Sequence, residues 1–185
     1  FAKDFIGSYN DFKQRIDEIQ SVINIKGLDE QKQNIINKLS YINIITSLDT
    51  FICDIILTKI IQDEESFNNF FNSIPPCKKK DEMTKLKEDN LVAQWEQKVI
   101  EYVMRTSYSN IDTIKDILKE LFKVSIIDTN GKMKKHFYYR NLLAHRNGRK
   151  KDGGYINITN EELKSLITDT QSIAKQIQTK IKPEH

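Results

Sequence analysis

The 185-residue chain holds few residues able to do chemistry, and they gather near its C-terminal end. Its histidines are His136, His145 and the terminal His185. A phosphate loop of the form GxxxxGKS or GxxxxGKT is missing, as are GxGxxG, HExxH, CxxC and GxSxG, so no metal site or nucleophile elbow is expected. What stands out is Tyr139-Arg140-Asn141-Leu142-Leu143-Ala144-His145-Arg146-Asn147-Gly148. At about 100° per residue, Tyr139, Leu142 and Leu143 form one apolar sector, while Arg140, Asn141, Ala144 and His145 lie opposite within about 140°. An imidazole exchanges protons near neutral pH, and a guanidinium can grip an oxyanion with two hydrogen bonds. Their combination on one face suits proton transfer at an anion. Phe137 and Ala144 share that face, which predicts that it packs against something. The plainer readings are a carboxylate partner for Arg140, a structural amide at Asn141, and a helix-end position for His145 favoured by the helix dipole.

The charge pattern points the same way. From Lys132 to Lys151 there are eight Lys or Arg and no acidic residue, while the remainder of the chain is net acidic. One local basic segment favours a polyanion bound in one place, with a solvated loop as the bland alternative. If that polyanion is RNA, Arg146, Arg149, Lys150 and Lys151 are the expected phosphate contacts, against a solvated loop, and Tyr138 could stack on a base, although packing is its more natural role. Acidic residues are plentiful, but on helix faces they mostly solvate, which leaves little support for a two-metal centre. Cys53 and Cys77 suggest neither a disulfide framework nor a zinc ligand set. The most apolar stretch, from Ile42 to Ile61, is broken by Asp49, Asp54 and Lys59, so no membrane span is expected and a cytoplasmic location follows by default. An opening Phe1 in place of methionine is what a fragment or trimmed product would show.

The elements that must carry these groups are helical. The length suits one domain over residues 1–185. A first helix is expected from about Lys3 to Ile25, ending at Gly27. A long one follows behind Asp29 as N-cap, with Ile35, Leu39, Ile42, Ile45, Ile52 and Ile56 as a stripe suited to the centre of a bundle. Ser73 to Lys80, with Pro75, Pro76 and three lysines, reads as a surface loop. Leu91, Trp95, Val99 and Val103 mark another helix, and Ile114, Ile117, Leu118 and Leu121 mark one that starts near Ser109 or Asn110. After the Asn130-Gly131 turn, the chemistry-bearing helix should run from about Met133 to a stop at Gly148. A short extended piece at Tyr155-Ile156-Asn157-Ile158 precedes a last helix that opens on a Thr159/Glu162 capping box. The expectation is an all-α bundle of about five to seven helices with a long central one and at most a short extended segment near 154–158.

Arg140-Asn141-x-x-x-His145 resembles the Arg-x4-6-His motif of the HEPN superfamily, including the polar residue that often follows the arginine. Ser47-Leu48-Asp49-Thr50-Phe51-Ile52-Cys53-Asp54 resembles an acidic-aromatic stretch on an earlier helix of that family, which makes Asp49 a supporting residue. Asp49 also falls on the apolar stripe, where it needs a partner: it either orients Arg140 or bonds within the core. The resemblance implies a helical bundle that dimerises with its motif helices facing each other, with Phe137 and Ala144 then at the interface. It further implies metal-independent cleavage of RNA by its own 2′-hydroxyl, without a cofactor, in a defence, toxin or RNA-processing setting. In that reaction His145 would move protons, Arg140 would hold the phosphate, and Asn141 would position phosphate or imidazole. The partners implied are RNA, a second copy of the chain, and an antitoxin, sensor domain or other regulatory protein. In pairs with a nucleotidyltransferase antitoxin a tyrosine often stands two residues after the histidine; here Asn147 does. The alternatives are a HEPN module that binds RNA or nucleotide or serves assembly without cutting, and a helical interaction protein with a fortuitous match.

Overall fold

The computed structural model describes residues 4–181. Lys3, the expected start of the first helix, and His185 lie outside the described residues. The helices are α1 (Phe5–Ile23), α2 (Glu30–Gln62), α3 (Glu64–Ser73), α4 (Lys78–Glu88), α5 (Val92–Arg105), α6 (Ile111–Phe122), α7 (Lys132–Arg146) and α8 (Asn160–Lys180). The fold is all-α, and no strand longer than a single bridge occurs among the described residues.

Local chemistry sets most boundaries. Asp29 caps α2 through the Lys32 amide, and Asn110 caps α6 through the amides of Asp112 and Thr113. Thr159 and Glu162 form a reciprocal capping box at the start of α8. Asn130 and Gly131 both adopt left-handed backbone angles, turning the chain into α7. The Ser73 to Lys80 stretch is a loop only as far as Cys77. Lys78, Lys79 and Lys80 form the first turn of α4, and the Lys80 ammonium donates to the carbonyls of Asn72 and Ile74.

α2 runs through the middle and packs against α1, α3, α5, α6, α7 and α8. Ile44, Ile45, Leu48, Phe51, Ile52, Ile55 and Ile56 are almost wholly buried along it. Its first turns differ from the expected stripe: Ile35 and Leu39 are 57% and 55% exposed, so among the described residues little covers that side of the helix. α7 is held between α2 and α8.

Candidate functional site on the C-terminal half of α7

The buried arc of α7 is broad. Met133, His136, Phe137, Leu142 and Leu143 are all buried, and Tyr139 and Arg140 are half-buried. Phe137 is only 4% exposed. Its assignment to a dimer interface is therefore corrected: the ring belongs to the protomer's own core and has almost no surface to offer a partner. Two packed neighbours, α2 and α8, make the covered arc wider than one apolar stripe would. Ala144, by contrast, is exposed.

Arg140 sits at the edge of this arc rather than wholly outside it. Its Nε is buried without a hydrogen-bond partner, while Nη1 donates to the Asn141 side-chain oxygen at 3.1 Å. The guanidinium thus emerges at the surface already joined to the neighbouring amide. Asn141 and His145 are exposed one turn apart, and no hydrogen bond or ion pair engages His145 among the described residues. An imidazole free on both nitrogens can accept or donate a proton without first breaking a contact.

Asp49 approaches the same region from α2. Its carboxylate accepts a close hydrogen bond from the Tyr108 backbone amide. Burial pushes its pKa up, and the Tyr108 bond and the nearby Arg140 charge pull it back. Asp49 thus bonds the chain entering α6, and it lies close enough to Arg140 to feel its charge.

The basic segment divides in two. Lys132 pairs with Asp169 at 3.4 Å and Lys134 with Asp112 at 2.8 Å. Arg146, Arg149, Lys150 and Lys151 have no ion-pair partner among the described residues, and together with Gly153 they line an open concavity of about 380 Å³. Tyr138 is 50% exposed on the outer side of α7. The structure thus gathers Arg140, Asn141 and His145 on one helix end, with the four cations immediately after it. The next turn is stopped by Asn147 and Gly148, whose amides both reach back to the Leu142 carbonyl. Gly148 has φ +79°, and an added Cβ would sit 3.4 Å from a Leu143 methyl, so this corner favours glycine.

Sequence reasoning assigned His136 no role and missed its structural work. The Tyr41 hydroxyl lies 2.7 Å from His136 Nδ1, and Nε2 lies 3.0 Å from an Asp169 carboxylate oxygen. Because the carboxylate can only accept, Nε2 carries the proton and Nδ1 accepts from Tyr41. The chain Tyr41–His136–Asp169 links α2, α7 and α8 one helical turn before Arg140. Burial holds the His136 pKa below its ordinary value, against the pull of Asp169. The available signal was the i, i+4 placement of His136 and Arg140, which puts both on one side of α7.

No group of three or more His, Cys, Asp or Glu suited to hold a metal occurs among the described residues, and no helix there is long and apolar enough to cross a membrane. The all-α bundle agrees with the HEPN class, to which the family match over residues 10–183 assigns the chain. Within that class the chain belongs to the family described as RiboL-PSP-HEPN, which matches residues 10–183. Comparison with curated proteins and with solved structures found no match. Membership supports a HEPN-type nuclease or RNA-binding module.

Proposed function

We propose that the protein is a metal-independent endoribonuclease that cuts RNA by attack of a 2′-hydroxyl on the adjacent phosphate. The observation that carries this reading is the exposed His145, without a hydrogen-bond or ion-pair partner among the described residues, one turn from an Asn141 already joined to the Arg140 guanidinium. In the reaction one imidazole takes the 2′-hydroxyl proton as the oxygen attacks phosphorus. Arg140 neutralises the charge that builds on the non-bridging oxygens. The bond to the 5′-oxygen breaks, and that oxygen receives a proton, leaving a 2′,3′-cyclic phosphate and a 5′-hydroxyl. Asn141 orients the phosphate through its amide, and Asp49 supports the Arg140 charge from behind.

The reaction is best served by an acid and a base, and each chain supplies one well-placed imidazole. A two-fold dimer with Ala144 at the contact would bring two copies of His145 to one groove. The basic concavity and Tyr138 would then hold RNA on either side. An RNA substrate fits a cytoplasmic site of action in defence, toxin or RNA-processing systems, under an antitoxin, sensor domain or other regulatory partner.

The test is incubation of RNA with the pure protein in excess chelator, comparing wild type with His145→Ala and Arg140→Ala. Cleavage by wild type and its loss in both folded variants is expected; cleavage that the chelator abolishes contradicts the reading. An Ala144→Arg variant that is monomeric yet fully active would remove the dimeric site. A second reading, an RNA-binding module without cleavage, is favoured by the cationic concavity alone. It predicts salt-sensitive binding with no product under any condition.

A further inference from the structure

The turn that follows His145 is built more firmly than a solvated basic loop requires. The Lys150 amide donates to the Gly154 carbonyl at 2.7 Å and the Ile156 amide to the Gly148 carbonyl at 2.9 Å. Between them Arg149 and Tyr155 face each other as an antiparallel bridge. The acidic residue in the turn, Asp152, is directed to the Gly154 amide at 3.0 Å. Ile156, 3% exposed, and Ile158, 1% exposed, anchor the returning strand in the core. Four cations are thereby displayed on an ordered scaffold.

Residues opposite each other in an antiparallel pair project to the same face, and the hydrogen bonds on either side of Arg149 and Tyr155 make theirs the close, non-hydrogen-bonded type. Arg149 lines the cationic concavity, and Tyr155 projects from the same face as its bridge partner Arg149. Tyr155 is 64% exposed, on the face opposite the buried Ile156, as the alternation of an extended pair requires. A tyrosine open to solvent beside four cations without an ion-pair partner among the described residues matches the combination that binds unpaired nucleotides: an aromatic face for the base and positive charge for the backbone. Bases in a duplex are stacked on each other and offer no free face to such a ring.

We propose that the 146–155 hairpin is a subsite for an unpaired nucleotide, in which Tyr155 stacks on the base while Arg146, Arg149, Lys150 and Lys151 hold the flanking phosphates. The site makes single-stranded RNA the substrate class. It rests on the reading of this surface as an RNA site, and it assigns to Tyr155 the selection of unpaired over paired strands.

The probe is a fluorescent 12-nucleotide RNA carrying 2′-O-methyl groups throughout, which has no nucleophilic hydroxyl and cannot be cut. Binding to wild type, Tyr155→Ala, Tyr155→Phe and the Lys150→Ala/Lys151→Ala pair is followed by anisotropy, for the single strand and for the same strand annealed to its complement. Tyr155→Ala should weaken single-strand binding by about 5- to 150-fold, the range for loss of one base–aromatic stack. Duplex binding should stay within twofold, and Tyr155→Phe should bind like wild type. The lysine pair should weaken both forms and flatten the single-strand salt dependence by about 1.4 in the log–log slope. Unchanged single-strand binding in Tyr155→Ala overturns the proposal, as does equal weakening for duplex and single strand, or a Tyr155→Phe variant as weak as Tyr155→Ala. The result is independent of cleavage. A protein that binds single strands through Tyr155 but never cuts RNA refutes the nuclease and keeps the subsite; one that cuts through His145 with Tyr155→Ala binding normally does the reverse.

Discussion

Replacing Tyr41 by phenylalanine removes one oxygen from the link that ties α7 to α2. The ring volume is kept, so no cavity term arises. What is lost is the hydroxyl donor to His136 Nδ1, at 2.7 Å, in a place where His136 is 6% and Tyr41 1% exposed. Water has little access to take over, so the imidazole nitrogen is left unsatisfied at a cost of about 1–3 kcal/mol. For a protein of this size each kcal/mol moves Tm by about 2–4 °C, which puts the expected fall between about 2 and 12 °C. Urea denaturation at pH 7.5, followed by circular dichroism, measures the loss directly.

The same link sets a pH dependence. His136 is neutral when folded because burial lowers its pKa, and it faces Asp169, Lys132 and Lys135 besides Tyr41. A histidine with a lowered folded pKa binds more protons when unfolded. Its contribution is therefore present above the unfolded value of about 6.5 and is lost as pH falls below that value toward the depressed folded one. Wild type should lose stability from pH 7 to pH 5 more steeply than His136→Asn, in which no imidazole titrates at this position. The reasoning is refuted if Tyr41→Phe stays within about 0.5 kcal/mol of wild type, well below the range above. It is also refuted if the two pH profiles run parallel.

Phe137→Ala should destabilise the protomer by about 3–5 kcal/mol, with the same loss in urea melts at low and high protein concentration; an interface residue would show a concentration-dependent loss instead. Asp49→Asn keeps an acceptor for the Tyr108 amide and removes a carboxylate whose ionised form burial disfavours, so its urea midpoint should stay close to wild type. Asp49→Ala orphans that amide and should cost about 1–3 kcal/mol by the same assay. Both Asp49 variants should slow RNA cleavage if the carboxylate supports the Arg140 charge.

What was legible in the chain and what was not divides along the range of the forces involved. Asp29, Asn110 and the Thr159/Glu162 pair act on amides two or three residues away, so their caps could be read from spacing alone. Gly148 likewise closes α7 through a local bond to Leu142. The placement of Phe137 was not legible, because whether it is covered depends on the angle at which α2 and α8 clasp α7. Ile35 and Leu39 failed in the opposite sense: they have the spacing of a core stripe, but among the described residues they stay mostly exposed. The network through His136 needs Tyr41 and Asp169, which are 95 and 33 residues away in sequence. Arg140 combines both cases, since its motif spacing is local while its buried Nε and the approach of Asp49 are products of packing.

The central claim is that the RNA supplies its own nucleophile at the Arg140, Asn141 and His145 surface. The most direct measurement uses an RNA cut at one mapped position, compared with the same strand carrying a single 2′-deoxynucleotide on the 5′ side of that phosphate, both in excess chelator. The account predicts that the single change abolishes cutting at that position and that the unmodified strand yields a 2′,3′-cyclic phosphate and a 5′-hydroxyl. Cleavage of the deoxy-substituted strand at the same phosphate, or products with a 5′-phosphate, would contradict it.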